Sequence, residues 1–153
     1  MNKTLKLNYT LSDKVIINRN IDWLFEYTQN FSERKKWDKQ TKEIDFYDGF
    51  SALEKGAKVY TVSVEGIRME TEYLTFESPS EISIKMLNKS SVFKSFIGTW
   101  NYIQVEHEKT ILKITYQFNL RFPYNLIRRK VLKKVKTNIN KKLSFLEGHL
   151  ELD

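Results

Sequence analysis

Residues 3–11 alternate, with Leu5, Leu7, Tyr9 and Leu11 on one side, the period-two pattern of a half-buried strand. The pattern then changes. Asn20 or Asp22 can cap a helix running through Trp23, Leu24, Phe25 and Tyr27, because a short side-chain oxygen accepts from the free amides of a first turn. Ser32 opens a second short helix, with Trp37 following it. Period two returns at 43–47, ended by Asp48 and Gly49, and at 57–65, ended by Gly66. Residues 67–77 set Met69, Thr71, Tyr73 and Thr75 against Glu70, Glu72, Leu74 and Phe76, and Ser78, Pro79 and Ser80 turn the chain into 81–87. A polar and aromatic link over 88–95 leads to strands at 98–106 and 110–120, joined around His107.

The last element is a long basic amphipathic helix from about Pro123. At 100° per residue Val131, Leu132, Val135, Ile139, Leu143, Leu146 and Leu150 share one arc, and Arg129, Lys130, Lys133, Lys134, Lys136 and Lys141 fall outside it. About 25 residues make a rod of about 37 Å, long enough to cross a curved sheet. The predicted order is strand, two helices, six strands, long helix. Tight turns between successive strands require antiparallel pairing, since parallel neighbours need a crossover of about a dozen residues or more. The helix must bury its stripe against that sheet, which makes the fold α+β and gives a way to enclose a cavity.

Composition narrows the functional classes. The length of 153 residues with nothing resembling a linker predicts a single domain over 1–153. With no cysteine, disulfide frameworks, thiolate metal sites and a cysteine nucleophile are excluded. No signal-peptide core and no apolar run of spanning length is present, which together with the missing cysteines predicts a cytoplasmic protein. The net charge of +7 is concentrated: residues 1–120 carry 17 Lys/Arg against 16 Asp/Glu, residues 121–153 carry 9 against 3.

Asp22 to Tyr27 leading to Trp37, Arg68 and Met69 leading to Phe76, Glu77, Ser78 and Pro79, and Gly98, Thr99 and Trp100 followed by Thr110 and the basic helix stand in this order of elements. Together they make a chain that resembles the START-like (SRPBCC) superfamily. Within that superfamily the likeness is to the polyketide cyclase/dehydrase and lipid-transport group. The resemblance implies a helix-grip fold, a seven-stranded antiparallel sheet curved around the terminal helix, with an internal cavity that commonly takes hydrophobic ligands. It does not imply one activity, because members include carriers, sensors, cyclases and stress proteins.

In that architecture the concave face would present Met69, Tyr73, Phe96, Trp100, Tyr102, Tyr116 and Phe118, with Val135 and Ile139 from the helix. These are the candidate ligand-binding residues. The competing reading is that they fill a closed core; inward Tyr and Trp favour a ligand or water, because their polar atoms need partners. Arg128 falls on the bearing of Leu146 if the helix is regular from Tyr124. It is then either an anion anchor at the cavity mouth, or a solvated first-turn residue, or the partner of an acid such as Glu70 or Glu72. The basic helix face is either the solvated side of an amphipathic helix or a weak contact for anionic membrane; no nucleic-acid partner is expected, as aromatic and cationic side chains are not interleaved.

Catalytic motifs are missing. His107 and His149 have neither metal spacing nor triad company, no phosphate loop, nucleophile elbow or dinucleotide fingerprint occurs, and no metal or cofactor is expected. The first hypothesis is a carrier or sensor for a small hydrophobic ligand such as a lipid, quinone or polyketide-like aromatic. The alternatives are a cyclase/dehydratase-like enzyme that orients a reactive ligand in the same cavity, and a protein-interaction module.

Overall fold

The computed structural model describes residues 6–152. β1 (Tyr9–Ile17) is followed by α1 (Ile21–Gln29), α2 (Phe31–Trp37) and the strands β2 (Thr41–Phe46), β3 (Lys58–Ser63), β4 (Arg68–Glu77), β5 (Glu81–Met86), β6 (Phe93–Glu106) and β7 (Lys109–Leu120). A 3-10 turn, Tyr124–Ile127, leads into α3 (Arg128–Glu151). The seven strands form one antiparallel sheet in the order β1-β7-β6-β5-β4-β3-β2. The two edge strands are joined in sequence by α1 and α2, so these helices carry the chain from one edge of the sheet to the other. This is the α+β helix-grip arrangement, a curved antiparallel sheet holding its C-terminal helix.

Local chemistry sets the elements. Asn20 accepts from the Asp22 amide and caps α1. Asn30, not Ser32, caps α2 by accepting from both the Ser32 and Glu33 amides, so the helix starts earlier and takes in Trp37. The first strand lies later than the expected 3–11. It pairs Tyr9 with Phe118 and Ile17 with Thr110, and Asp13 in mid-strand interrupts the apolar alternation that would have marked it. The part of the expected strand before residue 6 lies outside the described residues. β6 begins at Phe93 rather than Gly98, taking in much of the expected link.

In β4 a bulge at Leu74 changes the phase: Tyr73 opposes Ile84 and Thr75 opposes Ser83. Phe76 therefore packs on Phe25 and Tyr73, with ring centroids 5.5 and 6.1 Å away, on the face that simple alternation assigns to Thr75.

α3 buries Val135, Ile139, Leu143, Leu146 and Leu150 against the sheet, each worth about 1.5–3 kcal/mol when fully buried. Three polar ties hold it at the rim: the Lys136 ammonium donates to the Ser12 carbonyl, Gln40 Nε2 donates to the Asn138 carbonyl at 3.2 Å and an Arg19 Nη donates to the Leu150 carbonyl at 3.0 Å.

Gly98 in β6 has a packing reason. A Cβ there would lie 3.2 and 3.3 Å from two ring carbons of Tyr116 on β7 and 3.4 Å from Ile84 on β5. Gly98→Ala is expected to displace the Tyr116 ring and lower stability by about 1–3 kcal/mol in urea unfolding.

Candidate functional site

α2 places Arg34 one turn before Asp38, and the buried arc of α3 brings Lys142 to the same carboxylate. Asp38 Oδ2 accepts from Arg34 Nε at 2.7 Å, Lys142 Nζ at 2.7 Å and Thr41 Oγ1 at 2.9 Å, while Oδ1 accepts from the Gln40 amide at 3.1 Å. Asp38 is fully buried, and the Arg34 and Lys142 side chains are 14% and 10% exposed. Two cations share one anion, leaving an excess positive charge inside the protein.

Each partner responds to that excess. Desolvation of the Asp38 carboxylate is outweighed by Arg34 and Lys142, which together hold it well below the usual carboxylate range. Burial is the largest influence on Lys142, reinforced by repulsion from Arg34, and its ammonium falls to about 8 despite Asp38. Burial also acts against the Arg34 charge, but Asp38 more than compensates and the guanidinium is held above its ordinary value.

The Arg34 guanidinium lies 4.7 Å from the Trp100 ring centroid and 5.4 Å from that of Trp37. Only its Nε is engaged; the two terminal nitrogens make no hydrogen bond among the described residues. The buried indole N–H of Trp37 has no acceptor there either.

A second polar cluster sits between α1 and the inner face of β4 and β6. Thr28 Oγ1 donates back to the Leu24 carbonyl, so its 2.6 Å contact with the Tyr102 hydroxyl is donated by Tyr102. Gln29 Nε2 donates to the Tyr102 hydroxyl at 3.0 Å and Gln29 Oε1 accepts from Tyr73 at 3.3 Å. Tyr116 is half-buried, and its hydroxyl makes no hydrogen bond among the described residues. Burial pushes Tyr73 and Tyr116 up to about 12, so both stay protonated donors at neutral pH.

The seven strand candidates lie on one face. Phe96 opposes Phe118, Trp100 opposes Ile114, Tyr102 opposes Leu112 and Tyr116 opposes Gly98. Tyr73, Phe96, Trp100, Tyr102 and Phe118 are buried with Val135 and Ile139, while Met69 and Tyr116 pack on that core from partly exposed positions. Arg128 is elsewhere. The 3-10 turn delays the start of α3, and Arg128 is its exposed first residue, lining an open concavity of about 300 Å³ with Leu126, Ile127, Arg129 and Lys130. Glu70 is paired with Arg68 at 3.9 Å instead.

A second concavity, about 410 Å³, lies against Ser12, Lys14, Ile103, Ile111 and Lys113 on the outer side of β1, β7 and β6. Between sheet and α3, Leu112, Ile114, Phe118, Ile139 and Leu146 are fully buried. His107 is exposed beside Glu108, and His149 stacks on Tyr27. Among the described residues no helix is long and apolar enough to cross a membrane.

The sequence reading missed Arg34, Asp38 and Lys142. One signal was available: Lys142 is three residues from Ile139 and four from Leu146, inside the apolar arc of the helix, where Arg128 also falls by angle alone.

The family profile described as polyketide cyclase/dehydrase and lipid transport matches residues 9–151. No curated protein matches the sequence. Among solved structures the chain is similar to the Zhui aromatase/cyclase from Streptomyces sp. R1128 (TM-score 0.78, 15% identity, 94% of this chain and 93% of that one). It is also similar to a START superfamily protein from Mycobacterium smegmatis (TM-score 0.72, 12% identity, 95% and 99%). A third similar structure is an uncharacterised protein from Bacillus thuringiensis (TM-score 0.78, 11% identity, 95% and 100%).

Proposed function

The chain belongs to the polyketide cyclase/dehydrase and lipid transport family, and from that premise we propose that it is a single-domain cytoplasmic carrier or sensor. Its ligand is small and largely apolar, such as a lipid, quinone or polyketide-like aromatic, and is held between the inner face of the sheet and α3. The observation that carries this reading is Arg34: a nearly buried guanidinium against Trp100, fixed through Nε by Asp38, with both terminal nitrogens free of hydrogen bonds among the described residues. Buried donors are normally satisfied. Together with the Tyr116 hydroxyl and the Trp37 N–H, they suit a ligand whose apolar body packs on aromatic rings and whose oxygen accepts from the arginine. The half-buried Tyr116 side chain, not the fully buried layer around Phe118, is the part of this face that a ligand can reach.

Tyr73 and Tyr116, protonated to about pH 12, favour a second reading. Next to a cation they could polarise a carbonyl and steer ring closure, as a cyclase/dehydratase-like enzyme would require.

Native mass spectrometry of protein purified from its own host is expected to show a bound small molecule. A naphthoquinone is expected to quench the Trp37 and Trp100 fluorescence saturably. Arg34→Leu, which leaves Asp38 paired with Lys142, should weaken that binding by roughly tenfold or more, about the loss of one charge-assisted hydrogen bond. An empty protein with no saturable quenching would remove the receptacle. Turnover of a linear poly-β-ketone thioester, abolished in Tyr116→Phe, would select the enzyme.

A further inference from the structure

The chain around the start of α3 exposes large apolar side chains at Phe122 (76%), Leu126 (69%) and Ile127 (47%). All three fall within six residues, and Leu126 and Ile127 line the 300 Å³ concavity together with Arg128, Arg129 and Lys130. Between residues 121 and 146 the sequence holds nine Lys/Arg and no Asp/Glu. Arg121, Lys136 and Lys142 are engaged with Ser90, Ser12 and Asp38. Arg128, Arg129, Lys130, Lys133 and Lys134 pair with no carboxylate among the described residues. The first turn of α3 also has no side-chain cap and no acidic residue, so its cations lie at the helix end where the backbone dipole disfavours them.

From an apolar cluster flush with unpaired cations, the geometry points to a docking surface for an anionic lipid bilayer. Phe122, Leu126 and Ile127 enter the boundary between headgroups and acyl chains, while Arg128, Arg129 and Lys130 sit among the phosphates. A nucleic acid would satisfy the cations but leave the aliphatic Leu126 and Ile127 without a use, since single-strand sites stack bases on aromatic rings. An acidic protein would have to match both features, which a lipid surface does by its composition. The inference is independent of what the interior holds: it concerns a surface on the outside of the fold.

Flotation with vesicles of phosphatidylcholine, with and without phosphatidylserine, tests it. Binding is expected only to the phosphatidylserine vesicles, weakening as salt is raised. Arg129→Gln with Lys130→Gln should reduce the affinity about 25-fold, about fivefold for each cation, and flatten the salt dependence. Phe122→Ser with Leu126→Ser should reduce it by roughly tenfold or more while leaving the salt slope as it was. All four side chains are exposed, so the thermal midpoint should not move and serves as the folding control.

No binding to phosphatidylserine vesicles at low salt would overturn the proposal. Binding indifferent to Phe122→Ser with Leu126→Ser would overturn it too, reducing the contact to charge alone. Tighter binding to polyuridylate than to the vesicles, unaffected by the apolar double variant, would assign the face to nucleic acid.

Discussion

Asp38→Asn is expected to lower the unfolding free energy by about 3–5 kcal/mol at pH 7, measured by urea denaturation, because it leaves two nearly buried cations with no counter-charge. Replacing the whole set, Arg34→Leu with Asp38→Leu and Lys142→Met, should bring stability back to within about 1.5 kcal/mol of the unaltered protein, or above it, since packed apolar side chains avoid the desolvation of three charges. The difference between these two variants separates a device for stability from one kept for another reason. If the triple variant is stable but no longer binds the quinone, the triad serves to hold the Arg34 guanidinium in place.

The pH profile follows from the same contacts. Asp38 is held below the carboxylate range in the folded protein and titrates near 4 when unfolded. As pH falls below about 4 the unfolded chain takes up a proton that the folded protein refuses, so the Asp38 contribution, complete above that pH, is lost on acidification. Lys142 gives a slope of the same sign in a higher window: it sheds its proton near 8 when folded but keeps it to about 10.5 when unfolded, so through that window its contribution to stability rises with pH. In Asp38→Asn, Lys142 loses its only anionic partner among the described residues and releases its proton at still lower pH. The cost of that substitution should therefore be smaller at pH 10 than at pH 7.

What the sequence makes legible depends on the range of the interaction. The inner face of β6 and β7 could be assigned because Phe96, Trp100, Tyr102, Tyr116 and Phe118 lie in uninterrupted period two, and the pairing of Phe96 with Phe118 keeps that phase across both strands. The α3 stripe was equally clear from Val135 to Leu150. Alternation fails where backbone geometry intervenes. The bulge at Leu74 turns Phe76 inward, and Asp13 hides the real first strand. The polar site was least visible. Arg34 and Asp38, four apart at the end of a seven-residue helix, look like an ordinary surface pair, and the lysine that makes them something else is 104 residues away. Arg128 and Lys142 have similar helical bearings, but only Lys142 has the sheet and α2 over it; a helical wheel carries no information about where along its length the helix is covered.

Phe118→Ala is the other substitution expected to be severe, at about 3–5 kcal/mol in the same unfolding measurement. Phe118 is fully buried among Tyr9, Phe93 and Phe96, whose ring centroids lie 5.6, 5.2 and 6.0 Å away, so no neighbour is free to collapse into the space it leaves. Tyr116→Phe, two residues along the same strand, should change stability by less than about 0.5 kcal/mol, because its hydroxyl has no hydrogen-bond partner among the described residues to lose. The same Tyr116→Phe change should nevertheless weaken quinone binding several-fold, as the missing hydroxyl is one of the donors offered to a ligand oxygen. A core that exists only to be packed would make Phe118 costly and leave Tyr116→Phe silent in both measurements. Loss of binding without loss of stability at Tyr116, beside loss of stability at Phe118, would divide the inner face of one strand into a structural layer and a receptive one.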